Sequence, residues 1–251
     1  MEYLRLSRGN KGSIHNLKIK LPVGMLVERK HYLSTEEESI LHYMNLSCEV
    51  STIEKFNAAV IKLKSFPCRD CTMAAVGRPR KGAVMTDNAH VPGEERPFAV
   101  HRNNPTFIDL WKTAIVSFKK TLDQYFPDIL HEFAEKRKKG GWKIMEDVGG
   151  EEHGISSTQD VSIDLVNESH FDNADGTRGI SMWTELKHGN ARNWYFLLPD
   201  CHINGDMRPI ALKLFSGATI VWDGRLVKHC STGNVSNGNH IYGNFCGEPN
   251  E

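Results

Sequence analysis

Two histidines and one aspartate have the residue types and the spacing of a metal site. His170 and Asp172 are two positions apart, and His229 follows a later apolar run. In an extended strand, residues i and i+2 point to the same face, so the first two side chains can reach one ion together. Two imidazoles and one carboxylate form a facial triad that holds Fe(II) and leaves positions open for dioxygen and a co-substrate. The spacing therefore predicts that His170, Asp172 and His229 are iron ligands and the catalytic centre.

Alternating apolar residues predict the strands that position these ligands. Val161, Ile163 and Leu165 alternate with more polar neighbours and indicate a half-buried strand before His170. A second pair of strands flanks the turn at residues 215–218 and leads to His229. Many short strands in succession are typical of an antiparallel jelly roll, the double-stranded β-helix. The runs in question are Ile180–Trp183, Trp194–Leu198, Ile210–Leu214, Thr219–Trp222 and His240–Phe245.

Helical patterns precede this region, so we expect an α+β fold with flanking N-terminal helices. Helices are predicted over Ser34–Met44 and Thr52–Ser65, and the clearest one follows Asn104-Pro105, ends before Pro127 and should pack on the outer face of the jelly roll. Pro67–Pro97, rich in Gly and Pro, reads as a long loop, either a lid or a linker. We expect one domain over residues 1–251, in which 1–100 form a scaffold and loop and 101–251 form the helix and jelly-roll core.

Composition narrows the class of protein. The chain of 251 residues has 31 basic and 31 acidic side chains, so a nucleic-acid contact would need a local basic patch. No apolar run is long enough to cross a bilayer, and no membrane partner is expected. Six cysteines at irregular spacing do not suggest a disulfide framework, which favours a reducing, intracellular compartment.

One basic run could provide such a patch. Lys136-Arg137-Lys138-Lys139 is followed by Gly140-Gly141-Trp142-Lys143. A run of this kind usually forms a solvated helix end. The alternative is a surface that contacts phosphates.

The metal-site residues resemble those of the Fe(II)-dependent dioxygenase superfamily, most of whose members use 2-oxoglutarate. The run His170-Phe171-Asp172-Asn173-Ala174-Asp175 is similar to the TET/JBP group, which oxidises methylated pyrimidines in DNA. The segments Asn193–Phe196 and Trp222–Cys230 also resemble its algal and transposon-associated branch. The resemblance implies DNA as a partner, a nuclear location and dioxygen as co-reactant. It also implies that Asp175, three residues beyond the metal carboxylate, contacts the base.

The chemistry of a base-modifying enzyme agrees with these residues. A carboxylate such as Asp175 suits the exocyclic amino group of cytosine. An enzyme that acts on an extruded base stacks it on aromatic surfaces, for which Trp183 or Trp194 are candidates. Asp175 could instead make a turn, because Gly and Thr follow it.

The chain departs from the 2-oxoglutarate pattern in one respect. Most users of that co-substrate carry an Arg or Lys after the second histidine, whereas none follows Lys228 here. Another cation could replace it, with Arg178, Lys187, Arg192 and Arg225 as candidates, or His240 could serve. The resemblance also allows ascorbate, which an algal relative uses to modify 5-methylcytosine. The remaining alternatives are a hydroxylase of proteins or small molecules, and a metal-binding module without turnover.

Overall fold

The computed structural model describes residues 4–6, 14–18, 39–45, 50–63, 73–77, 99–173, 175–185, 193–200, 202–203, 206–207, 209–233 and 240–249. Most of these residues belong to strands and helices. None of the described helices is long and apolar enough to span a membrane.

Strands of the described regions form two main sheets and one short hairpin. The larger sheet has the order β2-β3-β11-β6-β13-β5-β4, the smaller has the order β1-β10-β7-β12, and β8 pairs with β9. The pairs are antiparallel except for β1 with β10. The strands are β1 Leu4–Leu6, β2 Ile14–Lys18, β3 Ser39–Asn45, β4 Met73–Gly77, β5 Thr158–Ile163, β6 Gly179–Glu185, β7 Tyr195–Leu198, β8 His202–Ile203, β9 Asp206–Met207, β10 Ile210–Lys213, β11 Ala218–Trp222, β12 Cys230–Thr232 and β13 Ile241–Gly247.

The chain passes back and forth between the two main sheets. After β5 in the larger sheet, His170 pairs with His229 beside the smaller sheet, and the chain then returns to the larger sheet as β6. Later, β7 and β10 lie in the smaller sheet, β11 in the larger, β12 in the smaller and β13 in the larger. Buried apolar residues of both sheets share one cluster, among them Phe196 and Leu212 from one side and Ile220 from the other. The two sheets therefore pack face to face.

Helices cover the outer face of the larger sheet. The main helix, α3 (Pro105–Tyr125), shares its apolar core with α1 (Val50–Leu63) and with β5, β6 and β13. Trp111 of α3 is fully buried, and its Nε1 donates to Oε1 of Gln159 on β5 at 2.7 Å. The predicted position of this helix on the outside of the strands is confirmed. The other described α-helices are α2 (Ala99–Asn103), α4 (Pro127–Gly140) and α5 (Gly150–His153), and a 3₁₀ helix spans Glu146–Val148.

Two sequence predictions change in this part of the fold. The predicted helix over Ser34–Met44 is wrong where the structure describes it, because Ser39–Asn45 is strand β3, which gains hydrogen-bonded partners on both sides from β2 and β11. Sheet pairing has overridden the helical spacing of its apolar residues. The predicted long loop contains strand β4, and its other residues lie outside the described part of the chain.

A buried ion pair ties α4 to the end of β13. Arg137 Nη1 lies 2.5 Å from Oε1 of Glu248, whose side chain is fully buried. The Ser157 backbone N–H donates to the same oxygen at 3.1 Å, and Trp142 Nε1 donates to Oε2 at 3.3 Å. Burial raises the pKa of Glu248, and the positive charge of Arg137 opposes that rise. The backbone of Glu248 also forms hydrogen bonds with Gly176 and Thr177. The ion pair therefore helps to hold the segment that follows Asp175.

Candidate metal centre

Backbone hydrogen bonds bring the three predicted ligands together. His170 and His229 face each other as an antiparallel pair, with N–H to O=C bonds of 2.9 Å and 3.0 Å in the two directions. The backbone N–H of Asp172 donates to the Gly224 carbonyl at 2.8 Å. His229 lies directly before β12, so the smaller sheet positions one ligand and, through this pairing, the other two.

The ligand atoms have the spacing of a shared coordination sphere. His170 Nε2 lies 3.4 Å from Asp172 Oδ1, and His229 Nε2 lies 3.2 Å from Asp172 Oδ2. All three ligand atoms fall within 4.8 Å of one another. Metal–nitrogen and metal–oxygen bonds of about 2.1 Å place neighbouring ligands at right angles about 3 Å apart. The side chains could therefore hold one metal ion, and the three ligand positions predicted from the sequence lie close together.

Each imidazole is held so that Nε2 can act as the ligand. His170 Nδ1 lies 2.8 Å from the Glu168 carbonyl oxygen, and His229 Nδ1 lies 3.0 Å from that of Val227. A carbonyl can only accept, so each Nδ1 donates its proton to a backbone oxygen, and Nε2 is the ring nitrogen that faces Asp172. This is the usual support of metal-binding histidines.

The carboxylate of the triad is held in its ionised form. Burial by itself would raise the pKa of Asp172, but hydrogen bonds from His170 and His229 and their charges lower that pKa well below its ordinary value. In return, the hydrogen bond to Asp172 raises the pKa of His170, against the lowering effect of burial. An ionised carboxylate next to two imidazoles is the donor set of a divalent cation site.

Gly224 makes room for the metal carboxylate. A Cβ atom at this position would lie 2.4 Å from Asp172 Oδ2, which is closer than atoms can approach. Any larger residue would push the carboxylate away from the histidines. The sequence alone predicts no role for Gly224, because its contact with Asp172 joins segments that are far apart in the chain.

Aromatic side chains hold the buried half of the site. The Phe196 ring stacks on His229 with centroids 5.4 Å apart and planes 18° apart, and Trp222 meets the same imidazole edge to face at 5.3 Å. Phe245 packs against Trp222 at 5.3 Å. These contacts limit rotation of His229.

The triad opens into a cavity of about 350 Å³ between the two sheets. Its walls are aromatic, acidic or hydroxyl- and amide-bearing, and no lysine or arginine lines it within the described part of the chain. The side chains that form the walls beside the triad are Asp160, Ser162, Leu165, Asn167, Asp175, Ser181, Trp183, Phe196, Trp222, Ser231, Asn244 and Phe245.

The structure places the two residues predicted to bind substrate in this cavity. Asp175 is 2% exposed and lines the wall next to the triad, and its backbone N–H donates to the Asp172 carbonyl at 3.2 Å. Trp183 lies against Gly243, where a Cβ would come within 2.8 Å of the indole, and its Nε1 donates to Ser181 Oγ at 2.9 Å. Trp194, the alternative stacking candidate, is instead fully buried in the apolar core between the sheets.

Three of the residues predicted to bind a co-substrate lie outside the cavity wall. Arg225 makes a bidentate pair with Asp223, at 2.8 Å and 2.5 Å, and also donates to the Gly176 carbonyl. His240 Nδ1 lies 2.6 Å from Asp164 Oδ2, and Arg178 is paired with Glu132 at 2.7 Å. None of the three belongs to the described cavity wall. Lys187 and Arg192 lie outside the described residues, so the co-substrate roles stay predictions.

Several residues of the cavity were missed by sequence reasoning. Asp160 and Ser162 line it from β5, and Asn167 and Ser231 line it beside the histidines. The period-2 alternation of β5 was a usable signal for the first two, because residues two apart share a face. Only the pairing of distant segments could identify Asn167 and Ser231.

Comparison with known proteins gives a structural likeness and no sequence match. No family model matches the chain, and no curated protein matches its sequence. Among solved structures, the fold is similar to that of NgTET1. That structure, in complex with 5mC DNA, superposes with a TM-score of 0.58 at 11% identity and covers 86% of this chain and 74% of that one. At this identity the likeness shows a shared fold of helices and antiparallel sheets, and NgTET1 serves as a structural reference only.

Proposed function

We propose that this protein is an Fe(II)-dependent dioxygenase that modifies a methylated cytosine in DNA. The observation that carries the proposal is the convergence of His170, Asp172 and His229 on one cavity that also holds Asp175 and Trp183. The structural likeness to NgTET1 with 5mC DNA supports the same reading. We extend the proposal to one dioxygenase domain over residues 1–251 and to a nuclear location.

The strand order supports a double-stranded β-helix as the core. Four neighbours of the larger sheet, β5-β13-β6-β11, face β12, β7 and β10, and the His170 segment lies beside β12. Successive segments alternate between the sheets in the way that two Greek keys require. In such a shell ligands bind between the two sheets, and the position of the triad beside a cavity lined by both sheets supports this assignment.

The donor set supports iron as the resident metal. The two neutral imidazoles and the ionised carboxylate would hold Fe(II) through His170 Nε2, His229 Nε2 and Asp172. When bound, the iron would supply activation of dioxygen for oxidation of the substrate methyl group. The protein itself positions the ligands, turns both Nε2 atoms toward Asp172 through the carbonyl contacts of Nδ1, and excludes water by the aromatic packing around His229.

The cavity walls support a planar, amino-bearing substrate. Trp183 is held on Gly243 by contact and on Ser181 by a hydrogen bond, so its indole is a rigid surface for stacking. The Asp175 carboxylate is suited to accept from the exocyclic amino group of cytosine. Together they match an extruded base rather than an extended peptide.

The co-substrate is 2-oxoglutarate or ascorbate. The described cavity wall carries Asp160, Asp172 and Asp175 but no lysine or arginine. A second carboxylate on the co-substrate would need a cation, for which bidentate Arg is best suited. This composition favours ascorbate, unless a residue outside the described part of the chain, such as Lys187 or Arg192, supplies the charge.

Reconstitution tests the function directly. The purified chain would receive Fe(II) without oxygen, then air, with either 2-oxoglutarate or ascorbate, and with a duplex containing 5-methylcytosine, the same duplex unmethylated, or a peptide mixture. We expect a modified nucleoside by mass spectrometry only from the methylated duplex, and none with Asp172→Ala. Oxidation of peptides alone would replace DNA with a protein substrate. Absence of any co-substrate consumption would leave a metal-binding module and refute the proposal.

A further inference from the structure

We infer that Asn167 is a positioning residue of the metal centre. Its hydrogen bonds with Ser231 hold His170 at its distance from His229. The inference rests on the proposed metal site, although it concerns metal binding and not the substrate. Asn167 lines the cavity, three residues before one ligand, and Ser231 is two residues after the other.

Three hydrogen bonds form this contact. Asn167 Oδ1 accepts from the Ser231 backbone N–H at 2.8 Å and from the Ser231 hydroxyl at 3.2 Å. In the opposite direction, the Asn167 backbone N–H donates to the Ser231 carbonyl at 3.3 Å. The side-chain amide thus continues the pairing that His170 and His229 begin, at a point where the chain leaves regular strand geometry.

His170 depends on these hydrogen bonds because its side chain is partly exposed and has little apolar packing. Its side chain is 42% exposed, whereas that of His229 is 6% exposed and lies among aromatic rings. His170 also stands on a segment, residues 164–170, that belongs to no strand between β5 and the bridge. Neighbouring Val166 is 58% exposed, so apolar packing contributes little there. Hydrogen bonds must therefore fix the position of His170, as packing in the core fixes the position of His229.

The contact between Asn167 and Ser231 also sets the orientation of the His170 imidazole. His170 Nδ1 bonds to the carbonyl of Glu168, the residue directly after Asn167, at 2.8 Å. The contact of Asn167 Nδ2 with the same Nδ1 is 3.5 Å, too long to compete. Asn167 therefore acts through the backbone that carries Glu168, and through it directs Nε2 toward the metal.

Removal of the amide should weaken metal binding more than it weakens the fold. With Asn167→Ala, the Ser231 N–H loses its acceptor in a position that is 3% exposed. Loss of support for a metal-bound histidine typically reduces metal affinity about 10–100-fold. With Asn167→Asp, a side-chain oxygen still accepts from both Ser231 donors, so affinity should return to at least that of the unsubstituted protein.

The test measures Co(II) affinity by its ligand-field absorption, without substrate, alongside the melting temperature of the metal-free protein. We expect weaker Co(II) binding by Asn167→Ala, recovery by Asn167→Asp, and no change in Asn103→Ala, an exposed amide on α2. If Asn167→Ala does not fold, Asn167→Ser, whose hydroxyl is too short to reach both donors, replaces it. Equal affinity of the Ala or Ser variant and the unsubstituted protein would overturn the inference, as would failure of Asn167→Asp to recover it. No Co(II) binding by the unsubstituted protein would instead refute the metal site itself.

Discussion

The two histidines of the candidate metal centre are held by different forces. His229 is buried among Phe196 and Trp222 and directly precedes a strand of the smaller sheet. His170 is 42% exposed and is held by the bridge to His229, by Glu168 and by the Asn167 contact. Both rings nevertheless present Nε2 to the same carboxylate.

The buried histidine is fixed in position, whereas the more exposed histidine leaves one side of the site accessible. A ligand fixed by aromatic packing keeps its place without metal, because the surrounding core is closely packed. A ligand fixed by hydrogen bonds on an exposed segment leaves an open side through which metal and substrate can enter. We therefore expect substitutions on the His229 side to affect both the fold and metal binding, and those on the His170 side to affect metal binding more than the fold.

The largest effects should come from the histidines themselves. Both His170→Ala and His229→Ala should lower Co(II) affinity at least about 100-fold, since each removes a ligand and so exceeds the loss of a supporting residue. Only His229→Ala should also destabilise the fold, by about 2–4 kcal/mol, because it leaves a cavity among the rings. His170→Ala should stay within about 0.5 kcal/mol, as is usual for exposed positions. Urea unfolding of the metal-free proteins measures this, and equal destabilisation would contradict the distinction.

Disruption of the buried ion pair should affect the fold and spare the metal ligands. Arg137→Met leaves Glu248 buried without its cation, which costs about 3–5 kcal/mol. Arg137→Met combined with Glu248→Gln should recover part of that loss, because no buried charge remains. Chemical denaturation of the two variants gives the comparison, and a double variant less stable than the single one would argue against this account.

Gly224→Ala should weaken metal binding with little effect on the fold. The added methyl group would displace the Asp172 carboxylate, and we expect about a 10-fold loss of Co(II) affinity, in the range seen for disturbed ligand support. Gly141→Ala is the matched control. Its Cβ would meet nothing within 4 Å, but its φ of +69° makes the substitution cost about 1 kcal/mol of stability. Unchanged Co(II) affinity in Gly224→Ala would show that the carboxylate can move freely.

The smallest effect concerns the open side of the site and DNA. Lys138 and Lys139 are exposed on the last turn of α4, and neighbouring Lys136 lies against Gly176, the residue after Asp175. If this helix end contacts phosphates, the double Lys→Gln variant at 138 and 139 should reduce the salt dependence of duplex binding by about two counterions. The matched pair is Lys119→Gln with Lys120→Gln on α3. Equal slopes for the two double variants would leave the run as a solvated helix end.

Prediction from sequence succeeded where the signal was local. His170 and Asp172 are two residues apart and do lie together, although residues 171–173 form no strand, and the apolar spacing of α3 identified both its limits and its buried face. The predicted helix at Ser34–Met44 failed because β3 gains its stability from β2 and β11, which no local pattern contains. Pro127 divides α3 from α4, since it cannot donate to a carbonyl of the preceding turn.

By itself, the sequence determined the chemical identity of the site: two imidazoles, one carboxylate, and an aspartate and a tryptophan near them. Tertiary structure alone decided which tryptophan faces the cavity, since Trp183 lines it and Trp194 does not. It also decided that Arg225 pairs with Asp223, that Gly224 makes room for Asp172, and that Asn167 reaches Ser231. The physical reason is that the type of ligand is a property of a single residue. A cavity wall, in contrast, is formed by side chains that strand pairing brings together from distant parts of the chain.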